Sequence, residues 1–571
     1  MGLLDERIAE MRRLGRDARW KVETLARVGR KLGIHQALHW DGAVQVARDL
    51  SRARVNASTL FRFHAANTPD RPALIQAGLP GRKELGATEA RRFLYGDLDP
   101  FADRIAAALI RRGVGRGSGA IVMLKNRVEY FVLGLGTARA GAAQVTVSWR
   151  STVPELEYLA RHSGAEAVFF DADVADTIRE AVPRLRGVPR RNFISVGGDV
   201  PGFPSLEELT AGDHGTHADG TADASLVMYT SGTTGKPKGA VRKLQGGVVP
   251  SAFAFIEQTP MKLGEIHLTV CPVYHATATG FSNFTFLLGG TVVVLADFRP
   301  EGFLDAVERY RITSTALVPT MIHRLVELGP AALRARDTSS LRALFSGGAP
   351  LPGGLAIEAM DALGDKVYNF YGATETGIVT LASPADLRAA PGTIGPAIPG
   401  NEIRLVDEQG GVVPVGTVGE LYARNAMMVE GYHADAEATR SSMLDGFFSV
   451  GDLARRDAAG RYFIEGRKRD MIISGGVNVY PAELEAAIEA HPAVAEVAVV
   501  GVADREWGER VRAFVVKRPG QEVSEDELKA HCRARLAGPK VPRDFVFLES
   551  LPRNPTGKIL KRELKTMKDS A

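Results

Sequence analysis

From about residue 95 the apolar positions alternate between two spacings. "PFADRIAAALIRRG" and "EYFVLGLGTARAG" repeat with helical period, whereas "GAIVML" and "AQVTVS" are short apolar runs of strand length. Helix and strand in alternation predict a mostly parallel sheet covered by helices. A second series begins near Leu226 and runs through "TVVVLA", "FLDAVERYR", "STALVP", "MIHRLVEL", "LRALFSGG" and "KVYNFYG", so two stacked or abutting sheets are expected. After Gly392 the pattern shifts to short strands and turns, with "EQGG" as a hairpin turn. Beyond "EGRKRDMIISGG" come a helix opened by Pro481, the strands "EVAVVGV" and "RVRAFVVKR", and a helix from Ser524 with the capping box "SEDE".

These patterns predict an α/β fold. A large N-terminal domain, 55–468, would carry two helix-covered, mostly parallel sheets and a small β-rich subdomain, followed by a small α+β domain, 469–571. Residues 1–54 read as a helical extension, since Leu4, Ile8 and Met11 fall on one helical stripe with arginines opposite.

The chain has 571 residues, more than one hydrophobic core usually organises. Its net charge of +4 equals the excess of nine Lys/Arg over five Asp/Glu in the first 35 residues. That segment is expected to be an arm packed on the body, with weak peripheral membrane contact as the alternative. No basic tract with interleaved aromatics points to nucleic acid. Two cysteines, Cys271 and Cys532, lack zinc-site spacing and suit a reducing, cytoplasmic setting; Cys271 is expected to be a packed small hydrophobe. The uncharged run from Leu268 to Ala296 could span a bilayer by length, but Pro272, His275, Asn283 and Gly289-Gly290 break it into loop, helix, turn and strand, so no transmembrane segment is expected.

"YTSGTTGKPKGA", residues 229–240, follows the apolar run "SLVM". Its glycines permit close approach of backbone N–H groups to an anion, and its hydroxyls and lysines add donors and charge, so it reads as a phosphate cradle after a strand. It is not the common P-loop. Gly232 and Gly235 are too close, and Pro237 opposes an immediate helix start.

Five further segments accompany that loop: "SGGAPL" at 346, "YGATETG" at 371, "SVGDLA" at 449, "GRKRDMIISGGVNVYPAELE" at 466 and "NPTGKI" at 554. With these motifs in this order, residues 55 to 570 resemble the ANL adenylating superfamily, and most of all a fatty-acyl-CoA or related acyl-CoA synthetase. The resemblance implies a carboxylic acid, ATP, Mg²⁺ and CoA as reactants and co-reactants. An acyl-AMP and pyrophosphate form first, and a thiol then takes the acyl group.

By the same resemblance Thr230, Ser231, Gly232, Thr233, Thr234, Gly235 and Lys238 contact the ATP phosphates. Thr374 bonds the α-phosphate and Glu375 holds Mg²⁺. Tyr371 stacks on adenine, Gly347, Gly348 and Ala349 line it, Asp452 accepts the ribose hydroxyls, and Arg467 supports ribose or phosphate. Lys558 bridges the acid and the α-phosphate. The C-terminal domain is implied to rotate about Arg469, where relatives commonly have Asp or Lys, and Gly476 then faces a pantetheine tunnel.

"PVYHATATG", 272–280, matches the segment near the acid pocket, with His275 as gate or wall and small residues after it. It has no aspartate to bind a substrate ammonium, which favours an uncharged, aliphatic acid and leaves aryl acids open. Two other readings stand beside a CoA ligase: a stand-alone ligase that loads a carrier protein, and a non-catalytic acid or nucleotide binder. The pairing of Glu375 with Lys558 weighs against the last.

Overall fold

The structure is a computed structural model that describes residues 19–33, 39–51, 57–78, 91–211, 225–230, 238–243, 248–433, 435–474, 477–504, 507–536, 540–553 and 558–567. The chain folds as two compact units. One comprises residues 1–316, 334–344 and 425–441; the other comprises 317–333, 345–424 and 442–571.

In chain order the first unit carries β1 (Pro72–Ala77), β2 (Arg92–Leu94), β3 (Gly119–Met123), β4 (Ala143–Thr146), β5 (Ala165–Asp171), β6 (Phe193–Val196), β7 (Ser225–Thr230), β8 (Lys238–Lys243), β9 (Ile266–Thr269), β10 (Thr291–Leu295) and β11 (Ser314–Leu317, of which the first three residues belong to it). They lie in the orders β6-β5-β3-β4-β7-β8 and β11-β9-β10-β1-β2. Neighbours run parallel except for the β7/β8 and β1/β2 pairs. Two parallel-rich sheets are therefore present, but the boundary expected near Leu226 is not where they divide. β7 and β8 complete the first sheet, and β1, which precedes that whole series, lies inside the second. The cause is physical: both "PALIQA" and "SLVMYT" are continuous apolar runs suited to burial on two faces, and such a run fits either sheet.

Helices α1 (Tyr95–Arg111) and α2 (Glu129–Ala140) cover β3 and β4 through Ile105, Leu109, Val132 and Leu135. A Cβ at Gly136 would lie 2.3 Å from Ile105, so glycine permits this close helix crossing. α2 stops on Gly141 at φ +78°, the usual left-handed helix end. The expected helix at Leu4, Ile8 and Met11 lies outside the described residues. Over 19–32 the chain is helical, with Val28 buried, Arg27 paired to Glu257 at 2.6 Å and Lys31 Nζ donating to the Glu257 carbonyl at 2.7 Å. Cys271 is 2 % exposed, in keeping with a packed hydrophobe.

The second unit carries β12 (Ala343–Ser346, of which the last two residues belong to it), β13 (Val367–Ala373), β14 (Gly377–Ala382), β15 (Glu402–Val406), β16 (Gly419–Arg424), β17 (Met443–Leu444), β18 (Phe447–Phe448), β19 (Asp452–Arg456) and β20 (Tyr462–Arg467). Strands β15 to β20 form the expected small antiparallel body. Beyond it are β21 (Ile472–Ser474), β22 (Val477–Val479), β23 (Val494–Asp504), β24 (Gly508–Lys517) and β25 (Asp544–Phe547), ordered β22-β21-β24-β23 with β25 on β24. Pro481 opens α3 (Pro481–Glu489), and Ser524 and Glu527 cap α4 (Glu525–Arg533) reciprocally, as the sequence predicts. Among the described residues no helix is long and apolar enough to cross a membrane.

Candidate active site

The second unit gathers four of the singled-out residues. β19 and β20 pair with Asp452 opposite Arg467, and the Arg467 guanidinium Nε lies 3.2 Å from Asp452 Oδ1. Tyr371, at the end of β13, donates its hydroxyl to Asp452 Oδ2 at 2.8 Å. Burial, and then the adjacent Asp452 carboxylate, push the Tyr371 phenol well above its ordinary range, so it remains a donor. Asp452 is buried, yet each carboxylate oxygen carries two lone-pair directions, so the one partner on each oxygen leaves an acceptor site on both. A vicinal diol suits that remaining capacity.

Lys558 is half-buried in the same electrostatic field. Burial first, and then Arg467, lower its ammonium to about 8, while Asp452 and Asp470 oppose that shift. The amine is thus mostly cationic at neutral pH, in a site already short of water.

Thr374 and Glu375 sit at the turn between β13 and β14, and local sterics explain why the chain folds tightly there. A Cβ on Gly372 would meet the Gly377 carbonyl at 2.1 Å, and the register shifts between Tyr371 and Gly372. Thr376 Oγ1 accepts from the Ala373 amide at 3.1 Å. Glu375 is buried at 6 % exposure and lies close enough to Tyr371 to help raise its phenol. Gly347 packs under the Phe370 ring, where a Cβ would approach within 2.3 Å, and Gly348 takes φ +79°. Glycine is required at both positions, which leaves backbone rather than side chain facing outward beside Ala349. Arg469 is exposed in the short turn Lys468–Asp470, directly after Lys468, which is tied to Glu420 at 2.9 Å.

In the first unit β7 and β8 pair with Thr230 opposite Lys238, so both ends of the glycine segment lie at one sheet edge. A strand follows the segment where a P-loop has a helix, as Pro237 implied. The side chains of Thr230 and Lys238, and Ser231, Gly232, Thr233, Thr234 and Gly235, lie outside the described residues, as does Gly476. Among the described residues, His275 precedes α5 (Ala276–Leu287) with no side-chain capping bond, and its buried Nε2 has no hydrogen-bond partner. Burial lowers its imidazole to about 4, so it is neutral at physiological pH. Beyond it, a Cβ at Gly280 would meet open space.

Sequence reading missed two groups in this unit. Asn126 donates to the carbonyls of Val270, Cys271 and Leu295 at 3.1, 3.2 and 3.2 Å and accepts from the Val273 amide at 3.0 Å, which fixes the segment leading to His275. Its only signal was a polar residue just past the carboxyl end of a strand, where α/β sheets place their sites. Tyr229, directly before the glycine segment, is hydrogen-bonded to His162 Nδ1 at 2.8 Å. Nothing local joined residues so far apart in sequence.

The AMP-binding enzyme family model matches residues 61–433, and the AMP-binding enzyme C-terminal domain model matches 483–558. The chain is 33% identical over 512 residues to a fatty acid–acyl-carrier-protein ligase of Streptomyces coeruleorubidus, covering 88% of this chain and 94% of that one. It is 35% identical over 475 residues to a feruloyl-CoA synthase from an Amycolatopsis species, covering 82% and 93%. The crystal structure of ATP-bound MatB from Rhodopseudomonas palustris matches with TM-score 0.78 at 31% identity, covering 90% of this chain and 98% of that one. The chain therefore belongs to the AMP-binding enzyme family, within the ANL adenylate-forming superfamily, and is an ATP-dependent, AMP-forming acid–thiol ligase.

Proposed function

We propose that the protein is an acyl-CoA ligase for an uncharged carboxylic acid, with an aliphatic acid favoured. The observation that carries this reading is the half-buried Lys558 ammonium in the field of the Tyr371–Asp452–Arg467 group. In the first half-reaction a carboxylate oxygen attacks the α-phosphorus of ATP and pyrophosphate leaves. Two anions must meet, and negative charge builds on the α-phosphoryl oxygens, so a preorganised cation at that point lowers the barrier. Lys558 supplies it; Asp452 holds the ribose, Tyr371 and the backbone at Gly347, Gly348 and Ala349 hold adenine, and Thr374 donates to the α-phosphate. In the second half-reaction the CoA thiol attacks the acyl carbonyl and AMP leaves.

Glu375 fits a Mg²⁺ ion that arrives with the nucleotide. It is one buried carboxylate, and no group of three or more His, Cys, Asp or Glu is poised to hold a metal among the described residues, which suits an ion ligated mainly by phosphate oxygens and water. Such an ion supplies neutralisation of triphosphate charge.

The neutral His275 and the small residues after it support an uncharged acid. Pyrophosphate exchange into ATP, stimulated by a panel of straight-chain, aryl and amino acids, tests the reading: stimulation by uncharged acids is expected, and stimulation only by amino acids would overturn it. A carrier-protein acceptor has support from the likeness to the Streptomyces ligase, and offering the acyl-AMP both CoA and a pantetheinylated carrier separates the two.

A further inference from the structure

We propose that two ion pairs, Arg553–Glu496 and Lys561–Glu485, hold the chain on either side of Lys558 and so position its amine for adenylation; the proposal rests on the role given to Lys558 above. Arg553 precedes Lys558 in sequence and Lys561 follows it. The Arg553 guanidinium lies 2.9 Å from Glu496 on β23, with both side chains 25% exposed. Lys561 Nζ lies 2.6 Å from Glu485 Oε1 on α3, with both side chains 21% exposed.

The same Glu485 oxygen accepts from the Val499 amide at 2.8 Å, which fixes the carboxylate that Lys561 meets. Arg553 and Ile559 form an antiparallel bridge, and the Leu560 amide donates to the Pro552 carbonyl at 2.8 Å. Leu551 and Leu564, just outside the ion pairs, are buried with Ala498, Val500 and Phe514. Lys558 is thus the residue directly before a bridged position, with an ion pair to β23 before it in sequence and one to α3 after it.

Geometry argues for more than surface decoration. Exposed pairs contribute little because water competes and long side chains lose freedom, whereas these four side chains are mostly covered. Each pair joins the chain beside Lys558 to an element distant in sequence, so breaking either loosens one side and leaves the backbone bridge and the hydrophobic anchors intact. The side chain of Lys558 is long, and a small rotation of its base moves the amine by an ångström or more. A displacement of that size costs on the order of a hundredfold in a reaction that depends on orientation.

The test compares half-reactions in the full-length enzyme. Arg553→Glu and Lys561→Met are expected to lower adenylation by about tenfold to a hundredfold, mainly in kcat, while thioester formation from supplied acyl-AMP is unchanged. The double variant Arg553→Glu/Glu496→Arg is expected to recover adenylation. Equal loss of both half-reactions, or a double variant no better than Arg553→Glu, overturns the clamp. Lys558→Ala is run alongside: if it abolishes adenylation while the clamp variants are fully active, the clamp alone fails, and if it leaves adenylation intact the role of Lys558 fails and the clamp with it.

Discussion

In the proposed site Lys558 and Asp452 divide the electrostatic work between them. A carboxylate that already accepts from Tyr371 and faces Arg467 holds its orientation before any nucleotide arrives, so ribose binding need not order it. Removing the Tyr371 hydroxyl leaves the buried Asp452 short of a donor, and Tyr371→Phe is expected to raise the KM for ATP by about fivefold to tenfold, near the 1–1.5 kcal/mol of a typical hydrogen bond, with kcat little changed; steady-state kinetics checks it. Lys558 is a different case, because in the proposed mechanism its charge acts where charge develops. Lys558→Ala is expected to cut adenylation by about a hundredfold to a thousandfold and to spare thioester formation from acyl-AMP; equal loss in both half-reactions would contradict it. The pH profile follows from the lowered ammonium. The cation is the working form and is lost as pH rises through about 8, so kcat/KM for adenylation is expected to fall on the alkaline side near that value, and Lys558→Arg to remove the limb.

At the scale of elements, the tight end of the β13–β14 hairpin and the helix α3 each carry a legible consequence. Gly372 was quoted within a motif, but no periodicity explains it; the reason is the Gly377 carbonyl that a Cβ would strike. The motifs themselves were readable because each is contiguous, and the caps of α3 and α4 were readable because they are local rules of a few residues. What could not be read is pairing across the chain. Tyr371 and Asp452 are 81 residues apart in sequence and share a hydrogen bond, and β1 pairs on one side with β10, which begins only at Thr291. Glu489 shows the same limit. Nothing in "AELEAAIEA" marks one of its acids, yet burial first, and then Glu485 and Glu496, push the Glu489 carboxyl up to about 8. Its folded value lies above its unfolded one, so the native state binds the extra proton between roughly pH 4.5 and 8, and stability falls as pH rises through that window. Glu489→Gln removes the ionisation. It is expected to raise the melting temperature at pH 8 and to change it much less at pH 5, which a pair of thermal scans measures; an equal gain at both pH values would show that ionisation is not the cause.

For the whole molecule, the two half-reactions make opposite demands on one site. The proposed adenylation uses Lys558 in the field of Asp452 and Arg467, but the incoming thiol needs a path to the acyl carbonyl, and the C-terminal domain that carries Lys558 is proposed to swing about Arg469 to open it. Gly476, which lies outside the described residues, is the proposed lining of that path. Its neighbours supply a competing explanation for a glycine there. In the sequence Gly475 and Gly476 form a Gly-Gly pair, a dipeptide that commonly marks a turn because glycine tolerates positive φ. The two explanations separate by side-chain size. A turn requirement penalises any Cβ, so Gly476→Ala and Gly476→Leu would lose stability alike. A tunnel is obstructed in proportion to bulk, so alanine is expected to slow thioester formation modestly and leucine to block it, with pyrophosphate exchange intact in both. Similar damage from the two substitutions, in melting temperature and in both half-reactions, would assign Gly476 to the turn and leave the thiol's route to be sought elsewhere.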